Sequence, residues 1–179
     1  MTKQPIGRYG LVAQGFHWLT VLLLISAIPS GLRMVRIGPG PDQNFLFDLH
    51  RSMGFTILVV MTLRLLWRLT HPAPPMPAHM PRLQVFAAET VHWLLYGLLL
   101  IQALGGWIAT NAFGAPIPIF GLFQLPALIA KDEPLSKILF AGHQVVGFTI
   151  IGLITLHIAA ALFHTFVQKD GLLRRMWPI

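Results

Sequence analysis

The sequence predicts an all-α fold, an integral membrane four-helix bundle, on three observations. Four apolar stretches are each long enough to cross a hydrocarbon core of about 30 Å. Segments rich in proline, glycine and charge separate them, and these cannot continue a helix. The chain is 55% hydrophobic and only 11% charged, against about 25% charged residues in a soluble domain. Too little charge is left to cover a surface facing water. Residues 1–179 are taken as a single transmembrane domain.

The first span is expected at about 11–32, LVAQGFHWLTVLLLISAIPSGL, with His17 in its first two turns and Pro29 near its end. A bundle tolerates that proline because neighbouring groups re-satisfy the freed backbone. The stretch is too long for a signal-peptide core, so we expect it to be kept as a helix. The Gly-Pro-Gly-Pro run at 38–41 breaks the chain. The second span, about 45–69, has His50 near its start and Arg64 and Arg68 one turn apart near its end. The proline-dense stretch that follows holds His71 and His79, for which interfacial side chains are the expected reading. The third span, about 87–109, begins with Glu89 and His92. Residues 112–136 form a long, apolar connection, expected to cap the membrane surface with a short helix around Leu125–Ala130. The fourth span, about 139–166, carries His143, His157 and His164.

Four spans put both termini on one side. If that side is cytoplasmic, eight basic residues lie in the inner segments and five in the outer ones. The excess of positive charge inside favours cytoplasmic termini. The formal net charge of +7 thus fits membrane phosphates and topology, and no nucleic-acid motif accompanies it. There are no cysteines. That excludes disulfides, thiolate-bound iron and covalent haem attachment through Cys-x-x-Cys-His, and leaves the eight histidines as metal ligands.

An ionisable residue inside a span is costly and points to function. Fourteen residues separate His143 from His157, about 21 Å of helix, and the rotation returns within roughly 40° of the starting face. One helix therefore presents two imidazoles on one side, one near each membrane surface. By depth, His50 matches His143 at the outer side and His17 matches His157 at the inner side. Two bis-histidine haems stacked across the membrane need that arrangement, and such haems carry electrons without an open coordination position. Zinc would want its ligands in one cluster. Pairing His143 with His164 would separate two irons by about 31 Å, so His157 is the better ligand. His164 lies two turns nearer the inner surface, where it could donate a hydrogen bond or a proton to a quinone. Geometry leaves His92 unassigned.

Other residues carry two readings each. Glycines 54, 142, 147 and 152 either admit a flat macrocycle or close helix–helix contacts. Arg64 pairs with a haem propionate or a quinone headgroup, or snorkels to lipid phosphates, as is expected of Arg68. Arg51, beside His50, steers an anion or snorkels likewise. The outer segments carry a net charge of only +1, so any steering is local, around Arg51 or Lys137. No acidic residue lies deep in a span, which argues against a proton pump.

The stretches FHWL at His17, HRSMG at His50, MTLRLLWRLTHPAPP, GHQVVGF and TLHIAAALFHTFVQKDGLLRRMWP carry a resemblance across essentially the whole chain. The protein resembles the bacterial cytochrome b561 family, in particular its stand-alone dihaem members of superoxide oxidase type. The resemblance implies two non-covalent haems b held by His50 with His143 and by His17 with His157, and a quinone-site role for His164. It also implies a bacterial inner (plasma) membrane protein that passes electrons from periplasmic superoxide to ubiquinone. The alternative is a cytochrome b subunit linking a periplasmic redox partner, a dehydrogenase or hydrogenase, to the quinone pool. A haem-free scaffold whose histidines bridge helices is the remaining rival.

Overall fold

The computed structural model describes residues 7–77 and 80–177; His79 lies outside them. Four long helices dominate: α1 (Leu11–Met34), α2 (Pro41–Thr70), α3 (Arg82–Phe113) and α4 (Glu133–Phe163). All four are long and apolar enough to cross a membrane. Each contains the span expected from sequence except the fourth, where a π-helical turn at His164–Gln168 takes over from α4. Start signals explain most of the extra length. Pro41 opens α2 after Gly40, where a missing N–H costs nothing. Asp132 caps α4 by accepting a hydrogen bond from Leu135 N at 3.0 Å. Gly114, at φ 85°, ends α3 in the left-handed conformation that favours glycine.

The packing order is α1 on α2, α2 on α3 and α3 on α4. Backbone contact between α4 and either α1 or α2 is absent among the described residues. A core of Ala27, Ile57, Met61, Leu99 and Ile150, one or two residues from each helix, fills the middle of the bundle. Ile150 is halfway between His143 and His157, so this apolar layer separates the two ends. Large apolar side chains such as Leu22, Ile25, Leu63, Ile101, Val145 and Leu156 face outward, as a lipid-solvated bundle requires.

The 112–136 connection departs from expectation. No helix forms at Leu125–Ala130. Instead Pro118–Ile119 (β1) pairs antiparallel with Phe123–Gln124 (β2) in a tight hairpin. Phe120 and Gly121 turn it with φ of 51° and 71°. Pro116 and Pro118 cannot donate helical hydrogen bonds, and the apolar content is spent on packing Ile117, Ile119 and Leu125 against Phe55 and Trp107. The opposite end is closed by the termini. Arg175 is 3% exposed and donates to Gly7 O at 3.0 Å, to Pro74 O at 2.5 Å and to Pro75 O at 3.2 Å. Burial pulls its pKa below the ordinary arginine value, Tyr9 acting in the opposite sense. The bundle thus has a hairpin end and a termini end.

Candidate histidine sites at the two ends of the bundle

At the hairpin end, His50 of α2 and His143 of α4 face each other with ring centres 6.2 Å apart. At the termini end, His17 of α1 and His157 of α4 do so at 6.3 Å. These are the helix pairs that make no backbone contact, so imidazoles bridge them. A metal–nitrogen bond of about 2.0 Å, plus about 1.1 Å from nitrogen to ring centre, puts two opposed imidazoles roughly 6.2 Å apart. Both pairs fit an iron held between them.

The hairpin-end pair is set by backbone. His50 Nδ1 donates to Ala27 O at 2.9 Å, which leaves Nε2 with its lone pair for a metal. A Cβ at Gly31 would lie 2.7 Å from His50 Cε1, and one at Gly106 would lie 2.9 Å from His143 Cε1. These two glycines, on α1 and α3, admit the rings. Sequence reading singled out others: at Gly54, Gly142 and Gly152 no protein atom lies within 4 Å of an added Cβ, and Gly147 meets only Gln102. Helix–helix closure is therefore not their role at the first three. His143 Nδ1 is buried without a partner.

Around this pair the hairpin is tied down. Ser52, 1% exposed, donates to Asp48 O at 2.7 Å and to Pro118 O at 3.3 Å, and accepts from Phe120 N at 2.9 Å. Arg51 Nη1 donates to Asp48 Oδ1 at 3.3 Å and to Pro116 O at 3.2 Å. Arg51 therefore helps hold the hairpin, and Asp48 offsets its charge.

The termini-end pair is set by side chains. Arg64 Nη2 donates to His17 Nδ1 at 3.2 Å, and Nη1 lies 3.4 Å from Thr20 Oγ1. The guanidinium also lies over the Tyr96 ring, 5.2 Å from its centre. A guanidinium accepts no hydrogen bond, so neutral His17 turns a lone pair to Arg64 and carries its hydrogen at Nε2. Metal binding at Nε2 requires that hydrogen to move. His92 of α3 approaches His157 to 5.3 Å, too close for a second opposed ligand. It lines instead a cleft of about 240 Å³ with Tyr9, Arg68, Glu89 and Tyr96. Arg68, expected to snorkel outward, has Nη1 buried without a partner.

His164 is 9% exposed and its Nδ1 lies 2.5 Å from Asp170 Oδ2. Asp170 Oδ1 accepts from Leu172 N at 2.9 Å. The π-helical turn and Lys169, at φ 52°, fold the chain back so that the carboxylate meets the ring; π turns often mark functional sites. Sequence reading missed Asp170. Its one signal was the pairing of a histidine with an aspartate six residues on. His71, exposed, stacks on Trp67 with ring centres 3.7 Å apart.

The profile of the prokaryotic cytochrome b561 family matches residues 8–178. Among curated proteins, "Cytochrome b561 homolog 2" of Escherichia coli K12 is 32% identical over 171 residues, covering 94% of this chain and 90% of that protein. "Probable superoxide oxidase CybB" of Yersinia pestis is also 32% identical over 171 residues, covering 96% of each. "Cytochrome b561 homolog 1" of Escherichia coli K12 is 27% identical over 175 residues, covering 97% of this chain and 98% of that protein.

Proposed function

The chain belongs to the prokaryotic cytochrome b561 family, and from that footing we propose that it is a superoxide:ubiquinone oxidoreductase of the bacterial inner membrane. In this reading residues 1–179 are one domain with both termini in the cytoplasm. His50 with His143 and His17 with His157 each hold a haem b. The observation that carries the reading is the pair of imidazole gaps, 6.2 and 6.3 Å, at opposite ends of one helix. Haem b held by two histidines supplies one-electron transfer with no open coordination position.

The balance is two superoxide ions giving two dioxygen molecules and two electrons, and one ubiquinone taking those electrons with two protons to give ubiquinol. The chain's own residues orient, shield and move protons. Ala27 O fixes the tautomer of His50, and the hairpin, fastened by Ser52, shields that end. Lys137 is the local cation for an approaching anion, with Arg51 adding to it only as far as its pairing with Asp48 leaves charge over. At the termini end Asp170 holds Nδ1–H of His164, so Nε2 is the nitrogen free to hydrogen-bond or protonate the quinone. Arg64, beside His17, is the residue that would pair with a haem propionate or a quinone oxygen. The name of the Yersinia pestis relative supports the superoxide reaction, and the basic residues of the termini end support its orientation.

Stopped-flow spectroscopy of the purified protein tests this. Superoxide alone is expected to reduce the haem bands rapidly, and a short-chain ubiquinone to reoxidise them. A protein without low-spin haem bands ends the whole reading. Haem bands that superoxide leaves oxidised, with reduction by a co-purifying periplasmic subunit, select the electron-transfer-subunit alternative.

A further inference from the structure

The two histidine pairs sit in opposite electrostatic surroundings. At the hairpin end the non-ligating nitrogen of His50 donates to a backbone carbonyl, Ala27 O, at 2.9 Å. A hydrogen bond of that kind makes an imidazole more electron-rich and favours the oxidised, more positive iron. At the termini end the corresponding nitrogen of His17 faces a guanidinium, Arg64 Nη2, at 3.2 Å. A positive charge there disfavours the oxidised iron and favours the reduced one. The charge is anchored independently of the imidazole, by Thr20 Oγ1 at 3.4 Å and by the Tyr96 ring at 5.2 Å. It therefore stays at this end when the His17 hydrogen moves to Nδ1.

Surrounding charge deepens the contrast. Arg68, whose Nη1 is buried without a partner, lies one turn beyond Arg64 on α2. Arg51, the cation next to His50 in the chain, is instead paired with Asp48 at 3.3 Å. Attraction or repulsion by an unpaired charge is far stronger in the apolar interior of a bundle than in water.

We infer that Arg64 makes electron transfer directional, by holding the redox group at His17 and His157 at a higher potential than the one at His50 and His143. With haem held at both pairs, an electron would pass from the hairpin end to the termini end with no atom transferred, and the charge of Arg64 would favour its arrival. Arg64 acts through His17, so it is a positioning residue. The inference rests on the ligand assignments proposed above and deepens them: Arg64 tunes a ligand, beyond pairing with a propionate or a quinone.

The test is a spectroelectrochemical titration of the haem-loaded protein in lipid nanodiscs, with His50→Ala used to assign the two waves. Arg64→Gln, which keeps a donor without the charge, is expected to lower the termini-end potential. The expected shift corresponds to at least tenfold in the electron-sharing constant, about 59 mV for one electron. The hairpin-end wave stays within error, and Arg64→Lys restores most of the loss. A termini-end potential that is unchanged or raised in Arg64→Gln overturns the inference, as does a wild-type order with the hairpin end higher. If Arg64→Gln binds one haem only, the Arg64→Lys variant decides: a potential far below wild type with both haems bound also overturns it. A wild-type protein that binds no haem defeats the ligand assignment itself, which keeps the two failures apart.

Discussion

At the hairpin end a backbone carbonyl and two glycines define where the His50 and His143 rings sit; at the termini end Arg64, Thr20, Tyr96 and His92 crowd His17 and His157. The first set of groups has no charge and no rotamers to spare. It fixes geometry and little else. The second set consists of long polar side chains that can respond to a ligand, a proton or a charge. A bundle with the same ligand type at both ends can thus be rigid at one and tunable at the other. Volume is the sensitive variable at the hairpin end and charge at the termini end.

The largest effect should follow from violating the volume rule. In Gly31→Val the new Cβ would fall 2.7 Å from His50 Cε1 and 2.9 Å from Nδ1. α1 and α2 are packed together, and close-packed helices yield little, so the ring itself must turn away. Haem content, read by the pyridine haemochrome assay, is expected to fall from two per chain to about one, as it should in His50→Ala; ring displacement forfeits a bond that metal geometry holds to about 0.2 Å. Retention of both haems would break the comparison at its first term. Loss of both would mean that the ends do not fold independently.

The comparison also marks what a sequence can reveal. The spans follow from hydropathy and breakers, and the pairing of His50 with His143 and of His17 with His157 follows from depth, because a helix rises by a constant amount per residue. Gly31 and Gly106 were not legible. Whether a glycine faces a ring on another helix depends on the rotation of both helices, and sixteen glycines in this chain look alike until that is known. The 112–136 connection misled for a related reason. Its apolar residues suggested a surface helix, but they pack on Phe55 and Trp107, a long-range contact that no local pattern announces. Asp170 was hidden because the π turn and the left-handed Lys169 break the 3.6-residue period that would have related it to His164.

A middle-sized effect is expected at the termini end, from charge alone. Asp170→Asn keeps the shape and the bond to Leu172 N but removes the anion facing His164 Nδ1. Both haems should remain, and reduction by superoxide at the hairpin end should be unchanged. Reoxidation by ubiquinone is expected to slow about tenfold, close to 1.4 kcal/mol in the barrier, since a histidine that gives up or takes a proton next to a carboxylate depends on that charge. Asp170→Glu should recover part of the rate. An Asp170→Asn protein with a wild-type quinone rate would remove His164 and Asp170 from the acceptor site and leave the cleft beside His92 as the place to look.

The smallest effect should come from Ser52→Ala, at the end where geometry is set by backbone. Ser52 Oγ is the acceptor for Phe120 N and the donor to Pro118 O, so its removal leaves the hairpin turn with an unpaired N–H. One unpaired amide costs about 1–3 kcal/mol if buried and less if water reaches it. The hairpin has Phe120, Leu122 and Phe123 exposed, so water or lipid headgroups can reach the turn and the lower figure applies. At roughly 2–4 °C per kcal/mol for a chain of this length, the melting temperature should drop by only a few degrees. The Gly31 and Gly106 contacts lie on helices and do not pass through Ser52, so both haems should stay bound. Limited proteolysis in nanodiscs should nonetheless cut faster between β1 and β2. Loss of the hairpin-end haem in Ser52→Ala would show that the hairpin, and not the helix backbone, holds that histidine pair in place.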